Sequence, residues 1–106
     1  MTLETWYRVV AIVKPFKLDA VLEALKGQPV EGLEVTEVRG YGRQKGHLEL
    51  YSGAEYKITF LPKVRLEMRC PAGHVDPAVD AIREAAQTGR IGDGKIFVLE
   101  GERVAP

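Results

Sequence analysis

The chain has 106 residues, 45% of them apolar, and its 15 basic and 15 acidic side chains cancel to a formal charge of zero. That length suits one domain, expected over 1–106, and the charge balance removes the bulk electrostatic footprint of a protein that grips nucleic acid or an anionic membrane. A single cysteine, Cys70, excludes an intrachain disulfide, no apolar run approaches the ~20 residues of a spanning helix, and Met1 to Trp6 carry no cationic stretch followed by an apolar one, so a cytoplasmic location is the expectation.

Tyr7 to Val13 is β-branched and nearly all apolar, which predicts a central strand ended by Pro15. Leu18, Val21, Leu22 and Leu25 recur at helical spacing, and Gly27 and Pro29 stop that helix. Leu33 to Arg39 reads as a second strand, with Val35 and Val38 out of strict alternation as if at a bulge. From Gly40 to Gly53 the chain is polar and glycine-bearing without a period, the pattern of a functional loop. Tyr56, Ile58 and Phe60, then Val64, Leu66, Met68 and Cys70, alternate with polar neighbours, and the two runs flanking Pro62 can be one hairpin arm. Asp76-Pro77 predicts a helix start, an N-cap acid followed by proline at the first helical position, with Ala78, Ala81, Ile82, Ala85 and Ala86 as the packing face. A strand over Ile96 to Leu99 and a short tail over 100–106 follow. The order β-α-β-β-α-β predicts an α+β, ferredoxin-like sandwich: four strands with two helices on one face, and apolar residues on the other face that favour self-association.

Gly89 to Lys95 spells G-x-x-x-x-G-K, the phosphate-cradling pattern, but Ile96 stands where a P-loop needs Ser or Thr for Mg²⁺. A P-loop also lies between a strand and a helix, and here the order is reversed. Three glycines and two cations still suit an anion. Arg39 to His47 matches the first four residues of an RNA-recognition signature, but Arg43-Gln44 replace Phe-Val, so the stacking platform is incomplete; an RNA-binding module stays a remote alternative. Lys63, on the polar face of its strand, reads either as a solvated lysine or as a cation for a small carboxylate, paired with Gln44 if the polar loop folds back. His47 and His74 lack companions at metal-ligand spacing, Cys70 continues a core phase, and no nucleophile–base pair stands out, so no enzyme is expected.

Val13 to Asp19, Thr36 to His47, Tyr51 to Tyr56, Phe60 to Val64 and Ala86 to Val98 together resemble the PII nitrogen-regulatory signal-transduction proteins, and the resemblance runs from about residue 8 to 99. It implies a homotrimer with three sites between subunits that bind ATP or ADP. Gly92, Asp93, Gly94 and Lys95, within a B-loop over 88–95, would contact the phosphates, with Gly42, Arg43, Gln44, Arg69 and Thr88 counted in the same nucleotide site. Gln44 would hold Mg²⁺ between ATP and 2-oxoglutarate, and Lys63 would pair with a 2-oxoglutarate carboxylate, with Lys45, Gly46, Ile91 and Gly92 completing the effector pocket. The stretch 42–55 corresponds to the T-loop that docks onto enzymes and membrane transporters, and Tyr56 to the tyrosine that some bacteria uridylylate. The family's Arg-x-Arg pair beyond its last strand is absent from a sequence that stops at Arg103-Val104-Ala105-Pro106, and Glu34 stands where the family usually has Thr. Those departures imply weaker polyphosphate binding. They raise an alternative, a PII-like variant tied to carboxysomes and bicarbonate uptake that binds ADP or AMP and bicarbonate.

Overall fold

The computed structural model describes residues 3–42, 59–90 and 92–105. Strand β1 (Glu4–Val13) leads through a 3₁₀ turn (Pro15–Lys17) into helix α1 (Leu18–Leu25) and strand β2 (Glu31–Gly42). Strand β3 (Thr59–Pro71), a second 3₁₀ turn (Ala72–His74), helix α2 (Val75–Ala86) and strand β4 (Gly94–Val104) follow. The sheet has the order β2-β3-β1-β4, antiparallel throughout, which is the ferredoxin-like arrangement.

Alternation decides which face each strand buries. Val9, Ala11 and Val13 stand opposite Met68, Leu66 and Val64, and all six are sealed under Val21 and Leu25 of α1 and Ala78, Ile82 and Ala86 of α2. Cys70 joins this core, as its phase predicts. The in-between residues Arg8, Arg65, Glu67 and Arg69 share the face away from the helices, where Glu67 pairs with both Arg8 and Arg65.

Several boundaries differ from the sequence reading. Gly40 to Gly42, expected in the polar loop, continue β2 opposite Leu61, Phe60 and Thr59, because β3 extends far enough to supply backbone partners. Pro62 sits inside β3 beyond the last residue paired with β1, where β3 has become an edge and proline is tolerated. The β2 irregularity falls between Glu31 and Glu34, beside Gly32 at φ 63°, and not at Val35 or Val38. Helix α2 starts at Val75 with His74 at the N-cap; Asp76 lies inside the first turn, where its charge suits the helix dipole without capping by its side chain. Residues 100–104, expected as tail, belong to β4, because β1 begins at Glu4 and offers them a partner.

Candidate functional site

The link from α2 to β4 is built around one carboxylate. The backbone N–H groups of Thr88 and Gly89 donate to Asp93 Oδ2 at 2.8 and 2.9 Å, and the Thr88 hydroxyl donates to Asp93 Oδ1. Lys14, just past the end of β1, places its Nζ 3.1 Å from Asp93 Oδ1 and 3.2 Å from the Thr88 hydroxyl oxygen. The Arg90 N–H donates to that same hydroxyl oxygen at 3.2 Å. These bonds, led by the Thr88 hydroxyl and Thr88 N–H and joined by Lys14 and the Gly89 N–H, hold the Asp93 carboxyl far below the usual carboxylate range. A carboxyl that resists protonation so strongly is a poor general base.

Glycines shape the rest of the loop. Gly89, Gly92 and Gly94 all have positive φ, 78°, 85° and 112°. Left-handed backbone at three positions in six residues makes a tight turn that side chains with a Cβ rarely adopt. At Gly94 the requirement is also steric, since a Cβ would lie 1.7 Å from the Ile12 carbonyl oxygen. The loop is thus pinned to the end of β1, at Ile12 and at Lys14 just beyond it.

Lys63 closes the arrangement from β3. Its ammonium donates to the Gly92 carbonyl, and its stem runs beside Gly40, where a Cβ would meet Lys63 Cγ at 3.0 Å. Partial burial lowers the Lys63 pKa; repulsion from Lys14 adds to this, and Asp93 opposes it. A cavity of about 310 Å³ borders the loop, with Val13, Val79, Ala86 and Ile96 on its apolar wall and Arg83 and Lys95 beside them.

Of the residues singled out from the sequence, Thr88, Gly92, Asp93, Gly94, Lys95 and Lys63 meet at this end of the sheet. Gly42 ends β2. Arg69 lies six residues along β3 from Lys63, on the order of 20 Å at ~3.3 Å per residue, and pairs with Glu102. One copy of the chain does not bring Arg69 to the loop. Glu34 sits at that same far end, opposite Glu67. Arg43, Gln44, Lys45, Gly46, Tyr56 and Ile91 lie outside the described residues. Among the described residues no three His, Cys, Asp or Glu side chains gather as a metal site. Sequence reasoning passed over Lys14. The sequence carries no local signal for it, since a lysine between a strand and Pro15 reads as an ordinary solvated side chain.

Comparison with known proteins agrees with this architecture. The family described as Nitrogen regulatory protein P-II matches residues 6–105. The chain is 59% identical over 97 residues to the Nitrogen regulatory protein P-II of Pasteurella multocida, covering 92% of this chain and 87% of that protein. It is likewise 59% identical over 97 residues to Nitrogen regulatory protein P-II 1 of Escherichia coli K12, with the same coverage of 92% and 87%. Among solved structures, Arabidopsis thaliana PII bound to citrate superposes with a TM-score of 0.71 at 35% identity, covering 92% of this chain and 78% of that one. A match across nearly the whole length, at such identity, leaves no room for a fold-level coincidence, and the chain belongs to the nitrogen regulatory protein P-II family.

Proposed function

We propose that this PII family member is a trimeric sensor. It binds ATP or ADP at the glycine loop and 2-oxoglutarate beside Lys63, and it signals their occupancy to an enzyme or membrane transporter of nitrogen metabolism through residues 42–55. The observation that carries this reading is the contact from Lys63 to the Gly92 carbonyl, which joins a cation suited to a carboxylate to a loop suited to a phosphate. The left-handed glycines and the convergence of Lys95 and Arg83 on the adjoining cavity support an anionic ligand at the loop. The plant PII was solved with citrate, itself a polycarboxylate, which favours a carboxylate effector here.

Within a trimer the sites would lie between subunits, so that Arg69 and Glu34 of a neighbouring copy complete the nucleotide site from which a single copy holds them apart. Mg²⁺ would arrive on the oxygens of the nucleotide and effector with Gln44 as its protein partner. Mg²⁺ commonly takes substrate phosphate oxygens and waters in preference to an all-protein cage. Lys45, Gly46 and Ile91 would line the effector pocket, and Tyr56 would be the modifiable tyrosine. The effectors need only favour one arrangement of 42–55 over another, and a coupling of about 1–3 kcal/mol is enough.

Thermal unfolding with ATP, ADP, AMP, 2-oxoglutarate and bicarbonate, alone and in pairs with Mg²⁺, tests this. A nucleotide at 100 times its Kd stabilises by about 2.7 kcal/mol per site. Lys63→Ala keeps the nucleotide shift and loses the further shift from 2-oxoglutarate. Absence of a shift with every nucleotide overturns the reading. A response to bicarbonate in place of 2-oxoglutarate transfers it to inorganic-carbon metabolism.

A further inference from the structure

The glycine loop contains a chemical conflict. A site meant for a polyphosphate holds a carboxylate, Asp93, that stays ionised because four donors converge on it. Three of those donors are neutral and leave its negative charge in place. The fourth is Lys14, the one cation among the described residues in ion-pair contact with Asp93. Two of the three donors of its ammonium are directed at Asp93 and Thr88, and its side chain is only 18% exposed, so its charge sits chiefly on the staple.

We infer that Lys14 is a positioning residue for the anion site: it cancels the charge of Asp93, so that Asp93 can staple the loop through Thr88 and Gly89 without repelling the phosphates that the loop receives. This rests on the nucleotide reading above. Lys63 also attracts Asp93, but from farther off: its ammonium is directed to the Gly92 carbonyl, and the ion-pair contact with Asp93 belongs to Lys14. The two lysines therefore divide the work: one neutralises the staple and the other faces the effector. Because the penalty for losing Lys14 is a charge–charge term, it grows with the charge of the ligand. A general loss of structure would not discriminate among ligands in that way.

The test is isothermal titration of the full chain with adenosine, AMP, ADP, ATP and inorganic tripolyphosphate. Lys14→Met weakens ATP and tripolyphosphate by roughly tenfold to a hundredfold, the scale of one uncancelled charge a few ångströms away in a half-solvated site. It weakens AMP less, and adenosine not at all. Lys14→Arg retains near-normal affinity. In Lys14→Met/Asp93→Asn the amide oxygen still accepts from the Thr88 N–H, the repelling charge is gone, and ATP affinity returns to within about threefold of Asp93→Asn alone. If Lys14→Met fails to fold, Lys14→Gln takes its place in the cycle. Equal losses for adenosine and ATP, an unchanged ATP affinity in the neutral variant, or a double variant no better than the single one each overturn the inference while leaving the nucleotide reading intact. A wild-type chain that binds neither ATP nor tripolyphosphate overturns the nucleotide reading itself.

Discussion

At the scale of single residues, Asp93 sets the local electrostatics. Its carboxyl is held down by hydrogen bonds from Thr88 and Gly89 and by Lys14. A depressed folded pKa contributes stability that is fully present above the unfolded value of ~3.9 and is lost as pH falls through the folded one. The staple should therefore outlast ordinary carboxylates on acidification. The Thr88 and Gly89 amide resonances are expected to hold their positions from pH 7 down to about 4 and to move only below it. Asp93→Asn should abolish that acid transition, and a midpoint at or above the ordinary carboxylate value would contradict the geometry. Much of this site was legible in the sequence. Gly89, Gly92, Gly94 and Lys95 mark a glycine-rich, cationic loop by composition, and Lys63 shows itself as a cation on the polar phase of its strand. Lys14 was not legible in the same way. Its partner Thr88 lies 74 residues away, and only the pairing of β1 with β4 brings the end of one strand to the start of the other.

At the scale of elements, strong periodicity carried the fold. Val64 to Cys70 and Leu18 to Leu25 repeat so regularly that the faces they bury follow from spacing alone. What spacing could not show is the far half of β4. Glu100-Gly101-Glu102 carries no apolar period, and it is strand because Glu4 to Trp6 lie alongside. The register there slips between Trp6 and Arg8, so that Leu99 faces Arg8 while Glu102 faces Trp6. This one-residue bulge turns Glu102 onto the sheet face that carries Arg8 and Arg69, 3.8 and 3.4 Å from its carboxylate. Gly101 permits the slip. A Cβ there would stand 2.7 Å from Thr5 Cγ2 and 3.2 Å from the Trp6 carbonyl oxygen. Gly101→Val is expected to cost about 1–3 kcal/mol by overpacking, read as a lower urea midpoint. Glu102→Ala removes only half-exposed ion pairs and should cost less than about 1 kcal/mol. The reverse ranking would mean that the ion pairs, and not the backbone geometry, hold this end of the sheet.

At the scale of the whole molecule, the helices cover only part of the sheet. They pack over β1 and β3, and β4 stands at the sheet's edge with Phe97, Val98 and Leu99 exposed by 49%, 46% and 38%. The β1 register puts Phe97 opposite Val10 and Leu99 opposite Arg8, on the face that carries no helix. A long edge strand with an apolar run is a liability unless another surface covers it. At the opposite edge, β2 is just as long and just as open, with Leu33 and Val35 exposed. Two open edges at opposite ends of one sheet suit a head-to-tail contact between copies, and such a contact must close into a ring to avoid a filament. The proposed trimer is such a ring. It also accounts for the distance between Arg69 and the glycine loop within one chain, because a neighbour can supply what a single copy holds apart. In the proposed trimer, Phe97→Lys would place a charge in this contact at every interface. Each lost phenylalanine forfeits about 1.5–3 kcal/mol of burial, and every 1.4 kcal/mol is a factor of ten in association. The residue is half exposed in the single chain, so the substitution should leave the fold intact. Light scattering is expected to report three copies for the wild type and one for Phe97→Lys, with far-UV circular dichroism unchanged and nucleotide affinity lost along with the neighbour. A monomeric variant that still bound nucleotide at full strength would place the whole site within one chain and refute the shared-site arrangement.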